Sequence, residues 1–303
     1  MEATELILLL QSVPGVGERT VEAVLRRNAI LRRSPDEFLH LSSERIHTEV
    51  KMRRESAETL LRELPDRRER ACEEARFLRR NGVTVINILE AAYPTRLMER
   101  LEEPPPVLFC YGNSALLSCP LYAVVNSNDA TEGALACADA AAALALECGW
   151  SPVTGHNRHA YQRTALVARR TGGKVCYVLD RGLLSAFGAD LSRQLFPAAA
   201  IWSPCYDPDS DLTISPFGLR DPEIGENNRR RDALIIGLAE VILVGQARPR
   251  GQMESVCRSA LMRGQRVLLV GPPCEMDERL ISLGAQTVRE ESHLAETLML
   301  IDN

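Results

Sequence analysis

The sequence predicts an α/β protein: a doubly wound, mostly parallel sheet preceded by a small all-helical module. Three observations carry this. Residues 1–80 show helical spacing and no strand-like run. Three consecutive prolines, Pro104–Pro106, make a stiff connector. From residue 120 short apolar runs alternate with helical stretches, the rhythm of strand-helix-strand crossovers in a parallel sheet.

In the helical part, Glu5–Leu10 begins an apolar run that Ser12-Val13-Pro14-Gly15-Val16-Gly17 breaks. Thr20–Arg27 resumes with Val21, Val24 and Leu25 at helical spacing. Helix, glycine turn, helix is the helix-hairpin-helix pattern. Its glycine N–H groups can meet a phosphate because no Cβ blocks the approach. A hairpin used only for packing fits the same residues, since Glu18 sits beside Arg19 and no basic cluster follows. Ser56–Arg80 reads as one or two charged amphipathic helices, interrupted at Pro65, with a solvated face. Val83–Leu89 is β-type. The helical module is assigned to residues 1–82 and the α/β domain to 83–303, of which 83–120 are an extended lead-in.

In the α/β part, strands are expected at Tyr122–Ser127, Ser151–Thr154, Lys174–Leu179, Ala198–Trp202, Val241–Val244 and Val267–Val270. Helices are expected at Thr131–Cys148, Ala160–Arg170, Asn228–Ala239, Gln252–Arg263, Glu278–Leu283 and Leu294–Leu300. The small side chains of Ala138–Ala143 would let their helix lie close on the sheet.

The net charge of −5 argues weakly against a polyanionic partner, but 34 of the 36 cations are Arg, the exceptions being Lys51 and Lys174. Arg grips phosphate with a planar fork, so any anion site must be local rather than a general polycation. Nine Cys form no C-x-x-C pair and no zinc spacing, which predicts buried reduced thiols in a reducing compartment. No run approaches the roughly 20 apolar residues of a membrane span, so a cytoplasmic protein is expected.

Open parallel sheets bind ligands beyond the carboxyl ends of their strands. Those ends carry Asn126–Thr131, Thr154–His159, Asp180–Gly182, Gly245–Gly251 and Gly271–Pro273. Several combine Gly or a capping hydroxyl with Arg, which suits an anion at helix N-termini. No G-x-G-x-x-G follows the first strand and no P-loop occurs, which excludes ordinary dinucleotide and P-loop chemistry. His156 and His159 have no third ligand or carboxylate placed by spacing. No metal, cofactor or catalytic residue is therefore expected.

The order of motifs resembles the DNA-processing protein A (DprA/Smf) family. Tyr93-Pro94-x-x-Leu97 and Pro104-Pro105-Pro106-Val107-Leu108-Phe109-x-Tyr111-Gly112-Asn113 resemble its opening signature. Tyr122–Thr131 is similar to A-I-V-G-S-R-x-x-T, and Val153-Thr154-Gly155 to V-S-G. Arg231–Leu238 through Ala247 resembles R-N-R-I-I-A-G-L and its sequel, and Gly264–Pro272 with Leu280–Ala285 the closing motifs. The resemblance spans roughly residues 5–290. It implies a Rossmann-like sheet behind a helix-hairpin-helix/SAM-like domain. It also implies non-catalytic binding of single-stranded DNA in recombination and DNA uptake, delivery of a RecA-type recombinase, and a homodimer.

The departures fall where binding should be. Gly-Ser-Arg is Asn126-Ser127-Asn128, R-N-R is Arg231-Asp232-Ala233, and the segment after Gly155 is three residues shorter. The DNA site is accordingly expected at Ser127, Asn128, Thr131, Gly155, Arg158, Lys174, Arg229, Arg230, Arg231, Arg248, Arg250 and Gly251. Tyr161, Phe187 and Tyr206 are the available stacking platforms, and Gly15 and Gly17 a second contact. Two alternatives stay open. One is an interaction or regulatory protein on a scaffold whose DNA pocket has decayed. The other is a nucleotide-ligand sensor, against which Gly271-Pro272-Pro273 lacks the flexible glycines of a phosphate loop.

Overall fold

A computed structural model describes residues 1–195, 206–272, 275–288 and 290–300. The chain divides into two units. One holds Met1–Tyr93, Pro105–Tyr111 and Pro216–Gly218; the other holds Pro94–Pro104, Gly112–Ser215 and Leu219–Asn303.

The first unit is built on α1 (Ala3–Gln11), whose five consecutive residues Leu6–Leu10 are all buried. α2 (Glu18–Leu31) turns Val21, Val24 and Leu25 inward and stops where Arg32 takes the left-handed conformation. α3 (Pro35–Leu39) starts with a capping box between Ser34 and Glu37. α4 (Ser43–Val50) ends at Lys51, also left-handed. The charged stretch forms two helices, α5 (Arg54–Arg62) and α6 (Leu64–Arg80). Pro65 stands in the first turn of α6, where its missing N–H has no helical partner to lose. α6 runs along α1 and against β1 (Val83–Asn87), which pairs antiparallel with β2 (Val107–Gly112), Val83 opposite Tyr111. The lead-in strand thus groups with the helices.

The second unit opens with α7 (Thr95–Arg100). Then follow β3 (Leu121–Asn126), α8 (Glu132–Glu147), β4 (Ser151–Thr154), α9 (His159–Arg170) and β5 (Cys176–Val178). After them come α10 (Leu183–Phe187), β6 (Leu212–Ser215), α11 (Asn227–Leu238) and β7 (Val241–Gln246). α12 (Gln252–Met262), β8 (Arg266–Leu269), α13 (Glu275–Ser282), β9 (Gln286–Thr287) and α14 (Glu291–Met299) complete it. The strands lie in the order β6-β5-β4-β3-β7-β8-β9, and every neighbouring pair is parallel. The order reverses between β3 and β7, so this is the doubly wound sheet expected, with its switch point at the centre.

The alanines of α8 do what their size suggests. Ala134, Ala138, Ala141, Ala142 and Ala145 are buried, and the helix packs on β7 in a core with Tyr122, Trp150, Leu243 and Leu268. At Gly245 a Cβ would stand 2.4 Å from Asn126 Oδ1 and 2.8 Å from the Ala134 carbonyl. Only glycine allows the helix that near to β7.

Some expectations need correction. α7, α10 and β6 carry no prediction, and the strand read at Lys174–Leu179 contracts to three residues. Ala198–Trp202 lies outside the described residues. Cys110, Cys176 and Cys257 are buried thiols, but Cys137 is exposed on α8, because only one face of that helix meets the sheet. Burial pushes the Cys176 and Cys257 thiols up to about 12. Among the described residues no helix is long and apolar enough to cross a membrane, and no group of His, Cys, Asp and Glu could hold a metal.

Candidate functional site

The cleft at the carboxyl ends of β3 and β7 is lined by Asn126, Asn128, Arg158, Tyr161, Asp232 and Met253, among others. In such a cleft, backbone N–H groups at helix starts are the usual phosphate donors. Here the protein's own side chains have taken several of them. Gln246 Oε1 accepts from the Thr131 N–H at 2.8 Å, and Thr131 Oγ1 accepts from the Ala134 N–H at 3.3 Å. Ser127 Oγ accepts from the Arg248 N–H at 2.7 Å, and Asn126 Oδ1 from the Gln246 N–H at 3.1 Å. The Ser127 N–H reaches the Gln246 carbonyl at 2.8 Å. At the start of α12 the buried Glu254 carboxylate accepts from the Arg250 N–H, setting a negative charge against the positive end of the helix. A register shift between Val125 and Asn126 marks where this stitching begins.

Beneath it lies a buried charged network. Arg231 is fully buried, its Nε and Nη2 at 3.0 and 2.8 Å from Asp232 Oδ1. Its Nη1 reaches Asn157 Oδ1 and stands 3.4 Å from Asp180 Oδ2. Tyr161 donates to Asp232 at 2.6 Å, and its ring lies 5.0 Å beneath the Arg231 guanidinium. Asp180, also fully buried, receives Asn157 Nδ2 and Arg181 Nε. His156 Nε2 is 3.8 Å from Asp180. Burial outweighs that carboxylate and pulls the His156 pKa down to about 4, so the ring is neutral at pH 7. Burial also pushes the Tyr161 hydroxyl upward. Cations and anions cancel inside the molecule.

The sequence-predicted residues therefore separate into groups. Ser127 and Thr131 act as internal hydrogen-bond acceptors, and Asn128 lines the cleft. A Cβ on Gly155 would stand 2.6 Å from the Tyr161 ring, so this glycine serves packing. Gly251 is the N-cap of α12. Arg158, half-buried at the start of α9, faces Asp232 at 3.5 Å. Arg231 is not available to solvent. From Arg231 to Leu238 the helix α11 is buried on nearly every side, Ala233 alone being exposed, whereas Arg229 is exposed and Arg230 partly so in the turn before it. Arg248 and Arg250 are exposed, the former 4.0 Å from Asp129.

Lys174 is exposed too, but it precedes β5, at the amino end of the parallel strands. Asp180 lies six positions further on, roughly 20 Å of extended chain. The structure does not bring it to the arginines. The proposed stacking platforms are corrected as well. Tyr161, Phe187 and Tyr206 are all buried, Phe187 and Tyr206 packing at 5.1 Å between ring centroids. In the first unit, Gly15 needs its positive φ of 79°, and Gly17 caps α2. Ser56 Oγ donates to the Pro14 carbonyl at 2.8 Å and Arg67 donates to the Ser12 carbonyl, which hold this turn.

The family model for DNA recombination-mediator protein A matches residues 84–299, most of the chain. The chain belongs to this family. Its work is DNA processing in recombination. Among solved structures it is similar to DNA processing protein A from Streptococcus pneumoniae, with 20% identity, a TM-score of 0.69 and 96% of each chain covered. It is also similar to DNA processing protein A from Helicobacter pylori, whose structure describes a single-stranded DNA binding mode. There the identity is 17%, the TM-score 0.57, and the coverage 72% of this chain and 96% of that one. No curated protein sequence matches this chain. Within this family member, Asn126 and Gln246 stand where the resemblance places a glycine and a glutamate, and both close the cleft.

Proposed function

We propose that this recombination-mediator protein binds single-stranded DNA along the carboxyl edge of its sheet, protects it, and helps load a RecA-type recombinase, acting as a homodimer and without catalysis. The observation that carries the reading is the position of Arg229, Arg248 and Arg250. They are exposed at the helix starts and loops that rim the switch point. Strand-tracking of this kind uses phosphate contacts from a rim rather than a deep pocket. The absence of a catalytic role is supported by the buried groups, which are spent on one another: Asp180, Asp232 and Tyr161 all hold hydrogen bonds. A nucleotide-sensing role is disfavoured because the Thr131, Arg248 and Arg250 N–H groups at the cleft are occupied.

The internal stitching favours a second reading, an interaction protein whose DNA cleft has closed. Fluorescence anisotropy with a single-stranded oligonucleotide, against the same sequence as duplex, separates the two. At about 50 mM salt phosphate affinity is strongest, so binding that weakens steeply with added salt is expected. No binding under those conditions overturns the first reading in favour of the second.

A further inference from the structure

In the first unit, three arginines converge on one carboxylate. Arg33 Nη2 and Arg45 Nε each lie 2.8 Å from Glu49, and Arg27 Nε lies 4.0 Å from it. Glu49 is held well below the ordinary carboxylate range by the hydrogen bonds from Arg45 and Arg33, so it carries its charge. Glu37, whose carboxylate also feels the charge of Arg33, is committed to the N–H and hydroxyl of Ser34. Donors exceed acceptors here. Arg27 Nε and Arg33 Nη1 are buried and have no hydrogen-bond partner, and Arg33 is nine-tenths buried. Asn28, also buried, has an unbonded Oδ1, so it does not meet them either. Leaving a buried donor unmade costs on the order of 1–3 kcal/mol. The outer ends of Arg27 and Arg45 remain open, with 43% and 63% of each side chain exposed.

We propose that Arg27, Arg33 and Arg45 form an anion site that takes a backbone phosphate of single-stranded DNA, a second contact remote in sequence from the sheet's rim. The proposal rests on the DNA-binding reading above. The chemistry favours phosphate: three guanidinium forks around one carboxylate leave positive charge in excess, and planar forks match phosphate oxygens bidentately. Glu49 pre-orients Arg33 and Arg45, and an arriving phosphate meets the open outer ends of Arg27 and Arg45.

The test measures single-stranded DNA affinity of the full chain over a salt series, for the native protein, Arg27→Ala/Arg45→Ala and Arg229→Glu/Arg248→Glu. Arg45 is mostly exposed and Arg27 half-buried, so the first variant is expected to fold, which a cooperative thermal melt checks before its affinity is read. It is expected to lose about tenfold in affinity and to flatten the salt slope by about 1.4, the value for two single-strand phosphate contacts. Glu49→Gln removes the competing internal anion and is expected to tighten binding severalfold. If the rim variant loses binding while Arg27→Ala/Arg45→Ala keeps native affinity and slope, this inference is overturned and the reading it rests on stands. If the native protein binds no DNA, both fall. Retained DNA affinity with lost affinity for an acidic peptide overturns the phosphate assignment.

Discussion

The side-chain carbonyl of Gln246 accepts the backbone N–H of Thr131 at 2.8 Å, tying the end of β7 to the start of α8 across the switch point. With the Ser127–Arg248 bond it forms a pair of clasps over the one place where the sheet's topology opens a crevice.

Each clasp is a net hydrogen bond between partly exposed groups. Gln246→Ala and Ser127→Ala should each lower unfolding free energy by about 1 kcal/mol, as read from denaturant titration. Both should leave DNA affinity undiminished, because neither side chain is free to contact a ligand. A loss of binding in either, with the fold intact, would reassign that residue to the interface.

Acid should weaken the second unit through His156. Its folded pKa, about 4, lies below the ordinary value of 6.5, so the unfolded chain binds the proton more readily. Stability is complete above pH 6.5 and is lost as pH falls from there toward 4, by roughly 3 kcal/mol at most. Thermal melts of His156→Asn across that window should show a shallower decline than the native protein. Parallel curves would rule the histidine out.

Charge reversal should distinguish the two ends of the sheet. Arg248→Glu is expected to reduce single-stranded DNA affinity at least severalfold, since it replaces an attractive rim charge with a repulsive one. Lys174→Glu, at the amino end, is expected to leave it unchanged. Equal losses in both variants, measured by anisotropy at one salt concentration, would mean the strand runs over the opposite edge.

Gly271 tolerates no side chain. A Cβ there would stand 1.7 Å from the Gly245 carbonyl, backbone that cannot move without displacing β7. Gly271→Ala should cost several kcal/mol and yield little folded protein. Near-native melting would show that the β7 and β8 ends can part.

How much could be read beforehand follows from which signals are local. β3 and β7 are unbroken apolar runs, and α8 is an alanine-rich helix between a capping threonine and a tryptophan; these are visible in any window. β6 is four residues with a threonine and a serine, too brief for a period to show. The site was harder. Arg229–Arg231 reads as one cationic run, yet on a helix the third member turns inward with Leu234 and Ile235. The same spacing, Tyr161, Thr164, Ala165 and Ala168, buries the aromatic that looked free to stack. The second was legible as a helical stripe; the first was not, because α11 is buried on nearly every side from Arg231 onward. Of the carboxylates that neutralise Arg231, Asp232 is its neighbour in sequence, but Asp180 is 51 residues away and only the sheet's winding brings it near.

That winding also sets a timetable. Tyr122 pairs with Val241, so the two central strands of the sheet are neighbours in space and strangers along the chain. On a ribosome adding about 5–20 residues per second, β3 waits on the order of 6–24 s for its partner to be made. Until then one full edge of its backbone stands unpaired beside an apolar face, the state in which strands find wrong partners. The cell that makes this protein must shelter a half-built sheet before it can use a finished one.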